Sequence, residues 1–247
     1  MAKSRTTGKR TTAKKKKAPR GPARPLWRRA LRRVLRGAAG MALLWFVLVL
    51  LFTFVNPVMT PYMIAESWRQ GGVKRDWVRL EEMTPALARS VVAAEDANYC
   101  LHWGFDMAAI RAALDEGAGR GASTLSQQVV KNVFLWQGRS WPRKALEALM
   151  TPVVELIWTK KRIVEVYLNV AETGKGVFGA EAAARAYFGT SAADLSAGQA
   201  ALIAAALPDP KGRNPARPSG FLRSRARAIA DGAATIRADG RAACFED

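Results

Sequence analysis

AEDANYCLHWGFD, Ala94 to Asp106, is the stretch on which the reading of the fold turns. Adjacent carboxylates, Glu95 and Asp96, end an apolar run; aromatics follow, and the chain's one histidine, His102, stands among them. A carboxylate at the end of an apolar helix is costly to bury unless it has a task. Taken alone, the stretch also suits a solvated helix end beside a structural histidine. Its flanks decide between the two.

Upstream, Thr84 and Pro85 form a helix-start signal, a capping hydroxyl followed by a proline that loses nothing at the first helical position. They predict a helix from Pro85 to about Glu95. Downstream, Asp106 caps a second helix that Gly117 ends, and Gly117 to Gly121 has the composition of a flexible loop. Ser123 is expected to cap a third, Thr124 to about Leu135, with Leu125, Val129 and Val133 on its apolar side and Thr124, Gln128 and Lys131 on its polar side. A long helical pattern runs from Pro142 to about Asn169, with Pro152 placed to kink or divide it. Another helix stops at Gly189, and Ser196 with Gln199 makes a capping box ahead of AALIAAALP. Pro208 to Pro218 reads as a loop and Phe221 to about Ile236 as a last helix. Strand signals are confined to Trp77 to Leu80, so the body is mainly α.

Toward the N-terminus the character changes. Of the 39 Lys and Arg, 15 fall in residues 1–36, which hold no acidic residue, so most of the formal charge of +19 belongs to a tail. That distribution excludes a nucleic-acid-binding body. Residues 1–25 lack any apolar cluster able to offset the entropy of ordering them and read as a disordered basic tail. Residues 26–56 hold a basic juxtamembrane segment and GAAGMALLWFVLVLLFTFV, Gly37 to Val55. Nineteen uncharged residues make a helix of roughly 28 Å, enough to cross a bilayer and too long for the apolar region of a signal peptide. Arg28, Arg29, Arg32, Arg33 and Arg36 at one end place the N-terminus in the cytoplasm by the positive-inside rule, and residues 57–237 outside it. Pro57 to Trp68 suits either a headgroup-facing surface or ordinary core. Residues 238–247 are left as a tail. Cys100 and Cys244 are able to pair in an exported domain, but the place of Cys100 in the candidate site favours two free thiols.

GASTLSQQVVKN, Gly121 to Asn132, supplies hydroxyls, amides, a lysine and a helix N-terminus, groups suited to a phosphate or pyrophosphate, without the pattern of a P-loop. RKALE, Arg143 to Glu147, adds two cations and a second carboxylate on one helical surface, where an ordinary i, i+4 surface ion pair would also fit.

In this order the segments resemble the peptidoglycan glycosyltransferase family, specifically its monofunctional biosynthetic members. E-D-x-x-[FY]-x-x-H-x-G-F-D, G-[AG]-S-T-x-x-Q-Q-x-x-K-N, R-K-x-x-E and, in Lys160 to Asn169, K-x-x-I-x-x-x-Y-L-N all occur. Tyr99 stands where many members have Phe. The likeness runs from about Met59 to Arg237. It implies a lysozyme-like α domain behind one transmembrane helix, in the inner membrane with the catalytic domain periplasmic. It implies polymerisation of lipid II, a disaccharide-pentapeptide on undecaprenyl pyrophosphate, with the growing chain as donor. Glu95 is then the general base on the acceptor's 4-hydroxyl, and Glu147 the second catalytic carboxylate. Asp96, Ser123, Thr124, Gln128, Lys131, Asn132, Arg143 and Lys144 are expected to bind substrate, and His102, Gly104, Tyr167 and Asn169 to support the site. No metal site is assigned, though a divalent cation such as Mg is compatible, with Glu147 its candidate ligand. Expected partners are lipid II, the nascent glycan, inner-membrane lipids and division or elongation proteins, with no nucleic acid.

The same fold also hosts enzymes that cut glycan, which have no need of the cations at Lys131, Arg143 and Lys144. A cross-linking second domain is excluded by length and by the absence of S-x-x-K and K-T-G. A membrane scaffold is the non-enzymatic alternative.

Overall fold

The computed structural model describes residues 26–115, 123–138 and 140–246. The expected disordered tail and the loop Gly117 to Gly121 lie outside the described residues. The chain divides into two units at residue 44, and α1 (Leu26–Phe52) runs through the division. Among the described residues, Trp27–Phe52 is the stretch long and apolar enough to cross a membrane. The helix takes in the basic segment and ends three residues before the expected Val55. The end has a cause. Arg162 donates to Phe52 O at 2.8 and 3.0 Å and to Val55 O at 3.1 Å, and the Trp158 indole donates to Val49 O at 2.8 Å. These donors take up carbonyls that the last turn of a helix leaves free.

In the second unit, α2 (Pro61–Gln70) starts on a Thr60 cap, whose hydroxyl accepts from Met63 N, and ends at Gly71 in the left-handed region. Of Pro57 to Trp68, Met63 is core, fully buried, while Ile64 and Trp68 are exposed. The expected strand at Trp77 to Leu80 does not form; β1 is Lys74–Arg75. Residues 78–80 instead give their amides to side chains, Val78 N to Asn169 Oδ1 and Leu80 N to Glu165 Oε2, both at 3.0 Å.

The helices that carry the candidate motifs follow. α3 (Pro85–Glu95) forms as expected, although Thr84 makes no side-chain cap and donates its amide to Ala192 O. α4 (Met107–Asp115) is capped by Asp106, which accepts from Ala109 N. α5 (Leu125–Phe134) is capped by Thr124 rather than Ser123, because only Thr124 has a Gln at the third helical position to close a reciprocal capping box. The long pattern divides into α6 (Trp141–Ile157) and α7 (Lys160–Val170). Its break lies at Trp158 and Thr159, where the Thr159 hydroxyl caps Arg162 N, and not at Pro152, which sits exposed inside α6.

β2 (Glu172–Gly174) and β3 (Val177–Phe178) form a small hairpin, with β1 parallel to β3 on its far side. α8 (Ala180–Phe188) ends at Gly189 in the left-handed region, α9 (Ala197–Ala206) carries the expected Ser196–Gln199 capping box, and α10 (Gly220–Ala238) begins at a Ser219 cap. The expected C-terminal tail is a packed segment instead, ending in α11 (Ala243–Glu246) with Phe245 fully buried.

Two groups of three helices position the site. α3, α9 and α10 pack on one another, as α5 does on α6 and α7. The alanine-rich α9 lets its neighbours approach closely, since Ala200, Ala201, Ala204 and Ala205 are all fully buried. Glu95, at the end of α3, and Gln128, in α5, meet where the groups adjoin.

Candidate active site

Leu87, Ala88, Val91 and Val92 bury one side of α3 and carry Glu95 to its last position. Asp96 leaves the helix at φ −160°, so no further turn covers the Glu95 carboxylate. Gln128 Nε2 donates to Glu95 Oε2 at 2.9 Å, and Gln128 Oε1 in turn accepts from the buried Tyr167 hydroxyl at 3.2 Å. The chain Tyr167, Gln128, Glu95 fixes which way the amide points and holds the carboxylate in one orientation. Burial pushes the Glu95 carboxyl above its ordinary value, while Gln128, Arg225 and Lys131 pull against that rise.

Glu95 faces a cleft of about 450 Å³, bounded also by Asn98, Asp106, Ala109 and Ser123. Its partner Gln128 faces a second groove of about 370 Å³, with Lys131, Asn132 and Gln137 on one wall and Tyr62, Glu172 and Lys211 on the other. The carboxylate thus stands between two recesses, one of which has a cationic wall.

Lys131 and Asn132 of that wall belong to α5, and α6 beside it carries a cluster of charges. Glu147, 2% exposed, receives Arg143 Nη1 at 2.7 Å on one oxygen and Lys144 Nζ on the other. Lys144 also donates to Ser123 Oγ at 2.8 Å, and Arg143 Nε to Gly138 O at 2.8 Å. Lys131 makes no ion pair among the described residues. Burial, with Arg143 and Lys144 nearby, lowers its ammonium pKa, and Glu147 and Glu95 oppose that. Of these three cations Lys131 lines the groove, whose other charged lining residues are Lys211, Glu172 and Asp209.

Two expected substrate binders, Asp96 and Thr124, border the Glu95 cleft and also bond within the protein. Asp96 Oδ1 pairs with His102 Nε2 at 2.8 Å and Oδ2 accepts from Leu125 N at 3.0 Å, so both oxygens are engaged inside the protein. Thr124, 2% exposed, donates to Gly104 O at 2.7 Å and caps Gln127 N. The N-terminus of α5 is therefore occupied by the protein's own Asp96 and Thr124 rather than open to phosphate. Asn132 is buried, accepts from Gln137 at 3.1 Å and reaches the groove wall. Both oxygens of Glu147 are taken by cations, and the described residues include no group of three or more His, Cys, Asp or Glu with metal-ligand spacing.

A family model described as Transglycosylase matches residues 63–234. The chain belongs to the transglycosylase family. It is 58% identical over 233 residues to a biosynthetic peptidoglycan transglycosylase of Jannaschia sp. (strain CCS1), covering 94% of this chain and 98% of that protein. A protein of the same description from Rhodospirillum centenum is 49% identical over 225 residues, 89% of this chain and 97% of that one. One from Stutzerimonas stutzeri is 52% identical over 199 residues, 74% and 82% respectively.

The remaining motif residues of this transglycosylase are braces. Lys160 Nζ donates to His102 O at 2.8 Å and to Glu155 at 2.9 Å, and lies 4.2 Å from the centre of the Tyr99 ring. Gly104 has φ +82°, and a Cβ there would lie 2.6 Å from Thr151 Cγ2, so glycine is required. Asn169 grips Val78 through both its N–H and its C=O.

Sequence reasoning missed Arg225 and the cysteine pair. Arg225, on α10, has its Nε buried without a hydrogen-bond partner among the described residues, and its charge acts on Glu95. A signal existed, since Leu222, Arg225, Ile229 and Ile236 recur at helical spacing with a cation inside an otherwise buried stripe. Cys100 and Cys244 are joined, which corrects the expectation of two free thiols. Cys100 belongs to the 3₁₀ turn Tyr99–Leu101 and is bonded to α11, whereas Glu95 bonds to α5.

Proposed function

We propose that this transglycosylase polymerises lipid II into glycan strands, with Glu95 as the general base. The observation that carries the reading is the Glu95 carboxylate, oriented by Gln128 between two recesses, with Lys131 on the wall beyond. The acceptor's 4-hydroxyl enters the recess faced by Glu95, and the pyrophosphate of the growing chain lies against Lys131, Arg143 and Lys144. The hydroxyl oxygen bonds to the donor's anomeric carbon, and the bond from that carbon to the pyrophosphate breaks. The hydroxyl proton passes to Glu95, and the electron pair leaves with undecaprenyl pyrophosphate, inverting the anomeric centre. Burial suits Glu95 to this step by raising its basicity toward the working pH. Positive charge already in place stabilises the departing anion without reorganisation. Glu147 acts through Arg143 and Lys144, which it orients.

The N-terminus is cytoplasmic and the catalytic body periplasmic in this reading. The arginines at one end of α1 support that orientation, as does the disulfide, a bond that persists in oxidising compartments. Exposed Trp103, Met107, Trp141, Leu149 and Leu156 suit a body resting on the headgroup layer from which its substrate comes.

Incubation of the purified full-length protein with lipid II tests the reaction. Polymer is expected from the wild type, and Glu95→Gln should lower its rate by about 10²- to 10⁴-fold. Shortening of preformed glycan without polymer from lipid II would sink the reading, and a normal rate in Glu95→Gln would sink the base assignment.

A further inference from the structure

The C-terminal residues Asp239 to Glu246 grip the catalytic segment at four points on both sides of Glu95. Ahead of it, Glu246 pairs with Arg89 of α3 at 2.5 Å. Beyond it, Arg241 Nη1 donates to Ala97 O at 3.2 Å, the buried Phe245 ring lies 6.4 Å from Tyr99, and Cys244 is bonded to Cys100. None of these four C-terminal side chains lines either recess of the site.

The grip falls on the segment that carries the main chain out of α3 just beyond Glu95. Glu95 is the last residue of α3, and the chain turns out of the helix at Asp96. Gln128 orients the carboxylate, and the main chain at Glu95 is continuous with Ala97 to Leu101, so the hold on that segment bears on where the carboxylate sits. From inside, that segment is held by the Asp96–His102 pair and by the Tyr99 hydroxyl, which donates to Lys160 O at 3.0 Å. From outside, three of the four contacts close over it, one of them covalent.

We propose that Asp239–Glu246 is a clasp that positions Glu95 for proton transfer, with Arg241, Cys244 and Phe245 as positioning residues. This rests on the assignment of Glu95 as the base. Displacing a base by 1 Å can lower a rate by about 10²-fold, so a clasp remote from substrate acts on turnover more than on binding.

The test uses the full-length protein at a temperature where circular dichroism shows it folded. A dithiol reductant opens the disulfide: two electrons and two protons yield the two thiols, and the reductant closes to its own cyclic disulfide. The reduced wild type is compared with the oxidised enzyme, with a Cys100→Ser, Cys244→Ser double variant, and with Arg241→Met, which keeps the covalent tie. Reduction should raise amide hydrogen exchange at Ala97 to Leu101 by about tenfold. On lipid II, kcat should fall about tenfold with KM changed less than twofold. The acid limb of the pH profile should move, because the surroundings of Glu95 change. Reoxidation should restore kcat in the wild type and not in the double variant, and Arg241→Met should give a smaller loss of the same kind.

Unchanged exchange in the reduced, folded protein overturns the clasp. So does faster exchange with kcat and the acid limb unaltered, which is the signature of a merely structural tie. Failure of the oxidised wild type to polymerise lipid II would count against the proposed function, and the exchange measurement would still decide whether the segment is held.

Discussion

Glu95 pairs a cost with a use. Burial raises its folded-state pKa above the unfolded value, so its effect on stability has a definite sign. A carboxyl with a raised folded pKa costs nothing below the unfolded pKa and destabilises the fold as pH rises through the folded one. Glu95→Gln should therefore raise Tm at neutral pH, and the difference should vanish on acidification below the ordinary carboxylate range. Equal Tm shifts at both pH values would show that charge is not the cause. Arg225 works in the opposite direction, holding the pKa of Glu95 down. Arg225→Met should move the acid limb of kcat/KM to higher pH, and a limb that stays put would remove Arg225 from the site's electrostatics. Glu95 was legible because its neighbours form a long motif. Arg225 is one of several arginines on α10, and what sets it apart is its position within the buried stripe, which matters only once α3 is known to lie against it.

At the scale of elements, most helices were legible and their ends less so. Ser123 and Thr124 are adjacent hydroxyl residues at the start of α5, and either suits a cap by composition. The choice falls to the residue three places on. Gln127 closes the reciprocal box with Thr124, and Ser123 is left to accept from Lys144. Thr124 also ties α5 to Gly104, so it joins two motif segments. Thr124→Ala should lower the unfolding free energy by about 1–3 kcal/mol, a lost cap plus a lost buried hydrogen bond, measured by urea denaturation. Ser123→Ala should leave stability within about 0.5 kcal/mol, since it removes a half-exposed partner of one lysine. The reverse order of effects would return the cap to Ser123. The division of α6 from α7 was misplaced for a related reason. Pro152 costs α6 one amide on an exposed face, where water can serve the freed carbonyl, whereas Thr159 offers a new helix start.

Over the whole molecule, the feature least visible in the sequence is the bond between residues 144 apart. No local pattern announces it, because the two cysteines meet only after α10 has packed along α3 and returned the chain end to the 3₁₀ turn beyond Glu95. The span it closes contains α4 to α10, nearly all of the second unit beyond α3. An unfolded chain tied over so long a loop loses much of its freedom, and by chain-entropy reasoning the bond should contribute about 2–5 kcal/mol. For a body of this size that corresponds to a fall in Tm of roughly 5–15 °C on reduction. The melt should be followed by tryptophan fluorescence in detergent, with and without a dithiol. Far-UV circular dichroism would include α1, whose helix a micelle can preserve in the unfolded state of the body. A shift under about 2 °C would mean that noncovalent contacts of the C-terminal segment already hold the native state and that the unfolded chain gains little freedom when the bond opens.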